Sequence, residues 1–378
     1  MSPSAQKTTE GKAKIDLSEG TFYNPEMRFC RDISVLAVAS LPIDGKNKLD
    51  VCDAMTASGV RGIRYALECE NVGSVALVDY SKKAITLARK NVKLNKLPPS
   101  RAKVFFDDAS RFLLNTITAR RDFDLIELDP FGSPVPFLHA SVAAARKKVF
   151  YLSVTATDTA VLCGAHHAAC IKNYQCKPLD NEFCHENAIR ILLAKIARTA
   201  SEKNYGITPL FSLSKRHYVK VFVQLNLGAE AAEISARNSL GYITHCAKCL
   251  RREIHDKPGF ERKCSCGQMM DYAGPIWVGN LWDEKFVRKM QTENEKRKLE
   301  NKKEIAKFLS LISEELSLPA TYWDLHEICE KHKVKTVATE KVLAKLKQAG
   351  FQASRTHFSP TSIRTDASLE EILKAMSS

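Results

Sequence analysis

Phe123-Asp124-Leu125-Ile126-Glu127-Leu128-Asp129-Pro130-Phe131-Gly132-Ser133-Pro134 is the stretch that decides how this chain folds. An apolar run of strand type ends in an acid, a proline and an aromatic, then breaks at glycine and a second proline. Two strand-like runs upstream also close on an acid, at Asp53 and Asp79, and a third is followed by Asp108 and Ala109. A carboxylate, a carbonyl held beside proline and an aromatic face, all at a strand exit, suit gripping a planar base by its exocyclic amine.

Outward from this stretch, short apolar runs alternate with amphipathic ones through the first half, the pattern of a largely parallel sheet flanked by helices. Predicted strands cover 49–52, 74–78, 102–106, 123–128 and 148–154, with helices over 63–69 and 82–94. The runs 209–214 and 217–227 meet at a polar turn and read as an antiparallel hairpin at the sheet edge. The expected fold is therefore α/β, a Rossmann-like class I methyltransferase sheet with an antiparallel edge hairpin. Beyond Leu227 the texture changes. Residues 228–240 are alanine-rich and predict a connecting helix, and 283–307, dense in both charges, predicts a solvated helix with Glu–Lys pairs one turn apart. A catalytic domain over 1–235 and a smaller α+β zinc-containing domain over 236–378 are expected.

The 378 residues carry 57 Lys plus Arg against 43 Asp plus Glu, a net charge of +14. That excess favours an anionic partner, because each neutralised phosphate releases counterions. No apolar stretch approaches the roughly 18 residues of a membrane span. The polar start, residues 1–20, lacks the apolar core of a signal peptide, so a cytoplasmic protein is expected. Twelve cysteines in so long a chain predict metal ligands or buried thiols rather than a disulfide framework.

Leu49-Asp50-Val51-Cys52-Asp53-Ala54-Met55-Thr56-Ala57-Ser58-Gly59-Val60-Arg61-Gly62 reads as strand, small-residue loop and helix start. Small residues let a ligand approach the backbone, and the helix start presents free N–H groups. Asp79 is placed to accept ribose hydroxyls, and Asp108 with Ala109 to read an adenine edge. A complete G-x-G-x-x-G is missing, which counts against a dinucleotide. The order of acidic strand ends, finishing in Asp-Pro-aromatic, favours S-adenosylmethionine. Helix capping is the ordinary alternative for each acid taken singly.

In the second half, Cys246-Ala247-Lys248-Cys249 and Cys264-Ser265-Cys266-Gly267 form two knuckles suited to one tetrahedral, structural zinc. Cys163, His166, His167 and Cys170 are also ligand types at close spacing, but in an alanine-rich segment read as substrate-loop structure. The other cysteines outside the knuckles read as structural too. Residues 331–364 hold eight Lys or Arg and one acid, Glu340. With His357, Phe358 and Tyr322 nearby, they suggest a basic face for RNA.

Together, Phe22-Tyr23-Asn24-Pro25, Cys30-Arg31-Asp32, Ala57-Ser58-Gly59-Val60-Arg61-Gly62-Ile63-Arg64, Asp129-Pro130-Phe131-Gly132-Ser133-Pro134, Val154-Thr155-Ala156-Thr157-Asp158, Leu162-Cys163-Gly164-Ala165-His166 and Thr356-His357-Phe358-Ser359-Pro360-Thr361 carry a resemblance. The chain resembles the tRNA (guanine-26-N2)-dimethyltransferase family from about residue 20 to near its C-terminus. Cys30 stands where that family often has asparagine, a departure that affects packing. The resemblance implies that Arg31, Arg61, Asp79, Asp108 and Ala109 hold S-adenosylmethionine and that Asp129 is catalytic; Asp53, at the strand end before the small-residue loop, is read as part of the same cofactor site. It also implies that Phe22 and Phe131 sandwich the base of a tRNA substrate, while Pro130 is read as holding that base-binding loop rigid. No obligate protein partner is expected, and a monomer suffices. Two other readings compete: an RNA-binding protein with a degenerate catalytic fold, and a DNA amino-methyltransferase with a similar acid-proline-aromatic motif.

Overall fold

The computed structural model describes residues 7–17, 23–43 and 48–377. It begins with an antiparallel hairpin of β1 (Lys7–Glu10) and β2 (Ala13–Asp16). Among the described residues, seven strands then form the main sheet. They are β3 (Leu49–Asp53), β4 (Val72–Asp79), β5 (Ala102–Phe106), β6 (Leu125–Leu128), β7 (Val149–Ala156), β8 (Tyr205–Lys215) and β9 (Tyr218–Leu227). Their order is β5-β4-β3-β6-β7-β9-β8, with β9 antiparallel to both neighbours and the other pairings parallel. The edge hairpin stands where the sequence placed it. β6 is buried at every position, as befits a parallel strand covered on both faces.

The winding reverses between β3 and β6. At such a switch point a crevice opens outside the carboxyl ends of the strands. The three acids predicted to close strands all arrive there: Asp53 ends β3, Asp79 ends β4 and Asp129 follows β6. Helices Val60–Glu68, Lys82–Leu94 and Ala109–Thr118 carry the chain back from this edge.

Two predicted helices differ from the structure. Residues 228–240 form a short helix, Ala229–Glu233, that widens into a π-helical turn, Ile234–Asn238. Residues 283–307 are not one solvated helix but parts of two, Glu284–Lys296 and Lys302–Glu315, folded back on each other. The first buries Phe286, Val287 and Met290, a spacing hidden in sequence by the surrounding charges.

Two small antiparallel sheets complete the chain. β10 (Leu240–His245), β11 (Arg252–His255) and β12 (Asp271–Trp277) pair in the order β11-β10-β12; β13 (Trp323–Asp324), β14 (Ala353–Arg355) and β15 (Ser362–Thr365) pair as β13-β15-β14. The main apolar core runs on past residue 235, taking in Ile243, Ala273, Met290 and Tyr322. A second cluster forms around Ile328, Val342, Ile363 and Ile372.

Between the two lies a buried ionic group that corrects part of the RNA reading. Arg364 is 1% exposed; its Nη2 meets Glu186 Oε2 at 2.7 Å and its Nε meets Glu315 Oε2 at 2.9 Å. His357 Nδ1 lies 2.7 Å from Glu315 Oε1, and Tyr322 is buried. Arg364 therefore ties the C-terminal part to helix Cys184–Ser201 through Glu186, His357 is taken up by Glu315 and Tyr322 lies in the core, so none of the three faces RNA. Two carboxylates sealed from water require such partners. Lys331, Lys333, Lys335, Lys341 and Lys347 remain exposed.

Candidate active site

The crevice holds a cavity of about 920 Å³, lined by Arg31, Asp53, Arg61, Asp79, Asp108, Ala109, Asp129, Pro130 and Phe131, among others. Nine of the predicted site residues thus meet at one place, while Phe22 lies outside the described residues. That volume suits a nucleoside-sized ligand.

The loop after β3 is shaped by its backbone. Ala57 and Gly59 have φ of 48° and 82°, and Gly59 caps helix Val60–Glu68 in the left-handed region that glycine tolerates. Asp53 secures this turn from below: its Oδ2 accepts from Thr56 Oγ1 at 2.7 Å and from the Gly62 N–H at 3.1 Å. Burial pushes its carboxyl up to about 7. Asp53 is thus a brace for the ligand loop. Asp79 accepts the Ala57 N–H on Oδ2 and the Ser81 N–H on Oδ1, both at 2.9 Å, which places it at the mouth of that loop. Asp108 caps helix Ala109–Thr118 by accepting from the Arg111 N–H at 2.9 Å. Each of the three aspartates therefore does hold a loop or helix end, the alternative the sequence allowed, while also lining the cavity.

Asp129 has a different setting. Its side chain is 23% exposed and ion-paired with Arg61. Burial acts to raise its carboxyl, but Arg61 and then Lys220 outweigh it and hold the group below the ordinary carboxylate range. Arg61 also donates to Ser34 Oγ at 2.6 Å and lies 3.7 Å from Glu127. Glu127, fully buried, accepts from Tyr65 Oη at 2.8 Å and pairs with the buried Lys220, which in turn donates to Thr155 Oγ1 at 3.0 Å. Asp129 is the outermost acid of this sealed network.

The loop beyond Asp129 is tied to the end of β7. Gly132, at φ 80°, donates its N–H to Thr157 Oγ1 at 2.6 Å, and the Thr157 N–H returns to the Gly132 carbonyl at 3.0 Å. Ser133 donates to Tyr174 Oη at 3.0 Å, and that hydroxyl donates to Asp158 at 2.8 Å. Phe131 rides this rigid turn with 75% of its surface exposed.

Arg31 is held by Glu10 of β1: Nε donates to Oε1 at 2.7 Å and Nη2 to Oε2 at 2.6 Å. Burial opposes the charge on Glu10, but Arg31 and Arg64 bring its carboxyl down to about 2. Sequence reasoning missed Glu10, Glu127, Lys220 and Tyr218. Tyr218 lines the cavity and is 4% exposed.

The four cysteines of the two knuckles also converge. Cys246 Sγ lies 3.5 Å from Cys266 Sγ, Cys249 Sγ lies 3.5 Å from Cys264 Sγ, and all four are within 4.8 Å of one another. Tetrahedral zinc with bonds of about 2.3 Å would set sulfurs about 3.8 Å apart.

A sheet of this order with acids converging at its switch point defines a Rossmann-like class I methyltransferase. Residues 3–377 match the family "TRM: N2,N2-dimethylguanosine tRNA methyltransferase". The chain is 37% identical over 373 residues to a tRNA (guanine(26)-N(2))-dimethyltransferase of Methanobrevibacter smithii, covering 97% of this chain and 94% of that one. It is equally similar, 37% over 383 residues, to a tRNA (guanine(26)-N(2)/guanine(27)-N(2))-dimethyltransferase of Aquifex aeolicus, covering 97% and 94%. The solved structure of Trm1 from Pyrococcus horikoshii with S-adenosyl-L-methionine superposes with a TM-score of 0.89 at 37% identity, covering 99% of this chain and 100% of the other. This chain belongs to the N2,N2-dimethylguanosine tRNA methyltransferase family.

Proposed function

We propose that this enzyme transfers one or two methyl groups from S-adenosylmethionine to the exocyclic N2 of guanine at position 26 of tRNA. The observation that carries the reading is the ionised Asp129 at a cavity shared with Asp79 and Asp108, with Phe131 on the adjoining rigid turn. When bound, S-adenosylmethionine supplies a methyl group already activated by its sulfonium charge. Asp79 would accept the ribose hydroxyls, and Asp108 with the Ala109 N–H would read the adenine. Arg31, Asp53 and Arg61 would shape that pocket, which Tyr218 also lines.

The guanine N2 lone pair is spread into the ring, so the protein must align the amine and take its proton. Asp129 does both: it accepts from the N2 hydrogens and receives a proton as the nitrogen bonds to carbon. Phe131 stacks one face of the base, with Phe22 proposed for the other and Pro130 stiffening the turn. The base must leave its stack to arrive there.

The four knuckle cysteines fit one structural zinc by donor type and spacing, within a tRNA-binding part spanning 236–378. Exposed lysines between Lys331 and Lys347 would meet tRNA phosphates. Among the described residues no helix is long and apolar enough to cross a membrane. The described cysteines are all free thiols, which suits the proposed cytoplasmic location.

Methyl transfer from labelled S-adenosylmethionine into unmodified tRNA, followed by nucleoside analysis and mapping, tests the reading. Dimethylguanosine at position 26 is expected. Label at guanine 27 as well would extend the specificity; transfer only to DNA, or none with cofactor bound, would overturn it.

A further inference from the structure

Cys163, Cys184 and His185, outside both the cavity and the four-cysteine knuckles, bring their ligand atoms within 4.8 Å of one another. The sequence had grouped Cys163 with His166, His167 and Cys170. The fold separates them: Cys170 is fully buried in helix His167–Tyr174, and Cys163 faces the start of helix Cys184–Ser201 instead.

We infer that Cys163, Cys184 and His185 form a second metal site, for a thiophilic divalent cation of the zinc class. Zinc–sulfur and zinc–nitrogen bonds of about 2.3 and 2.1 Å at tetrahedral angles place the two ligand atoms about 3.6 Å apart. Cys163 Sγ and His185 Nδ1 lie 3.6 Å apart. The backbone holds this spacing. Gly164 sits at φ 104°, and a Cβ there would lie 2.7 Å from the Asp180 nitrogen, so the loop after Cys163 seats directly on the segment leading to Cys184. Cys184 opens an 18-residue helix, where the end dipole favours a thiolate. Both thiols are half-buried and His185 is exposed, so a cation can enter. A water completes the fourth position. Binding releases the thiol protons to solvent.

The site has a mechanical meaning. Cys163 closes the short helix Thr159–Leu162, whose approach, Thr157 and Asp158, secures Gly132 directly and Ser133 through Tyr174. A metal here pins the support of the catalytic turn to helix Cys184–Ser201.

The test is zinc content of the full-length protein, kept reduced, loaded with zinc, desalted and counted by mass spectrometry. Cys163→Ser and His185→Asn are compared with wild type, with circular dichroism confirming the fold. Each variant should carry about one zinc fewer per chain. Cobalt loading should show a thiolate-to-metal band in wild type that weakens in Cys163→Ser. His185 is exposed, so its variant serves if the serine variant fails to fold. Equal zinc in wild type and a folded variant would overturn the assignment.

Discussion

The Arg61 guanidinium closes on the Asp129 carboxylate, so a residue expected to hold the cofactor is bound to the residue expected to touch the base. The pair links the two halves of the site, and it fixes the charge of Asp129. Because the folded value of that carboxyl is depressed, the pair contributes fully above the ordinary carboxylate range and is lost as pH falls through the folded value. Arg61→Met should therefore shift the acid limb of single-turnover methylation to higher pH. An unshifted limb in the folded variant would separate Asp129 ionisation from the rate.

Asp129→Ala removes the proton acceptor while leaving the Asp79 and Asp108 side of the cavity in place. Methyl transfer should fall by about 10²–10⁴-fold, with cofactor affinity nearly unchanged. Paired turnover and calorimetric binding measurements check this; unchanged turnover would remove Asp129 from the chemistry.

Asp53 should betray itself in stability rather than in chemistry. Its folded value near 7 lies above an unfolded value of about 3.9, so the folded chain keeps a proton that the unfolded chain has lost. Its contribution is full below about pH 4 and drains away as pH rises through about 7, at up to roughly 1.4 kcal/mol per unit. Denaturation of wild type and Asp53→Asn at pH 5 and pH 8 should show a smaller loss in the variant.

Removal of the zinc proposed for the knuckles offers a fourth check. Cys246→Ser leaves three of the four thiols that converge in the knuckles, and should release the metal and destabilise the β10–β12 sheet. A fully folded wild type that holds no metal would refute the structural role.

Two kinds of basic residue should behave oppositely. Lys335→Gln with Lys341→Gln should weaken tRNA binding and lower its salt slope by about one to two, with stability unchanged. Arg364→Gln should instead destabilise the fold by about 3–5 kcal/mol, because Glu186 and Glu315 lose their shared partner. Salt-dependent filter binding and denaturant titration separate the two effects.

That contrast shows what the sequence could and could not disclose. The strands were legible because a buried parallel strand is mostly apolar, as Leu125, Ile126 and Leu128 of β6 are, and the acids at the strand exits stood out against that background. The C-terminal charges were not legible in the same way. Arg364 and the exposed lysines look alike in a row of letters, and only the packing of Glu186 and Glu315 around Arg364 tells them apart. Glu10 and Lys220 were missed for a related reason: their partners lie far away along the chain. A lysine between Val219 and Val221, in a strand buried on both faces, was the one local signal available.

Those distant partners set the order in which the enzyme can come into being. The wall around Arg31 needs Glu10, while the charge under Asp129 needs Lys220 from the penultimate strand of the sheet. A chain still being synthesised, with Asp129 made but Lys220 not, has Glu127 without its principal cation. Such an intermediate cannot seal the sheet beneath the turn that carries Asp129. Competence to bind a ligand should therefore arrive abruptly, once β9 slots in beside β7, and truncations ending before residue 218 should be unable to capture cofactor however much of the loop sequence they retain.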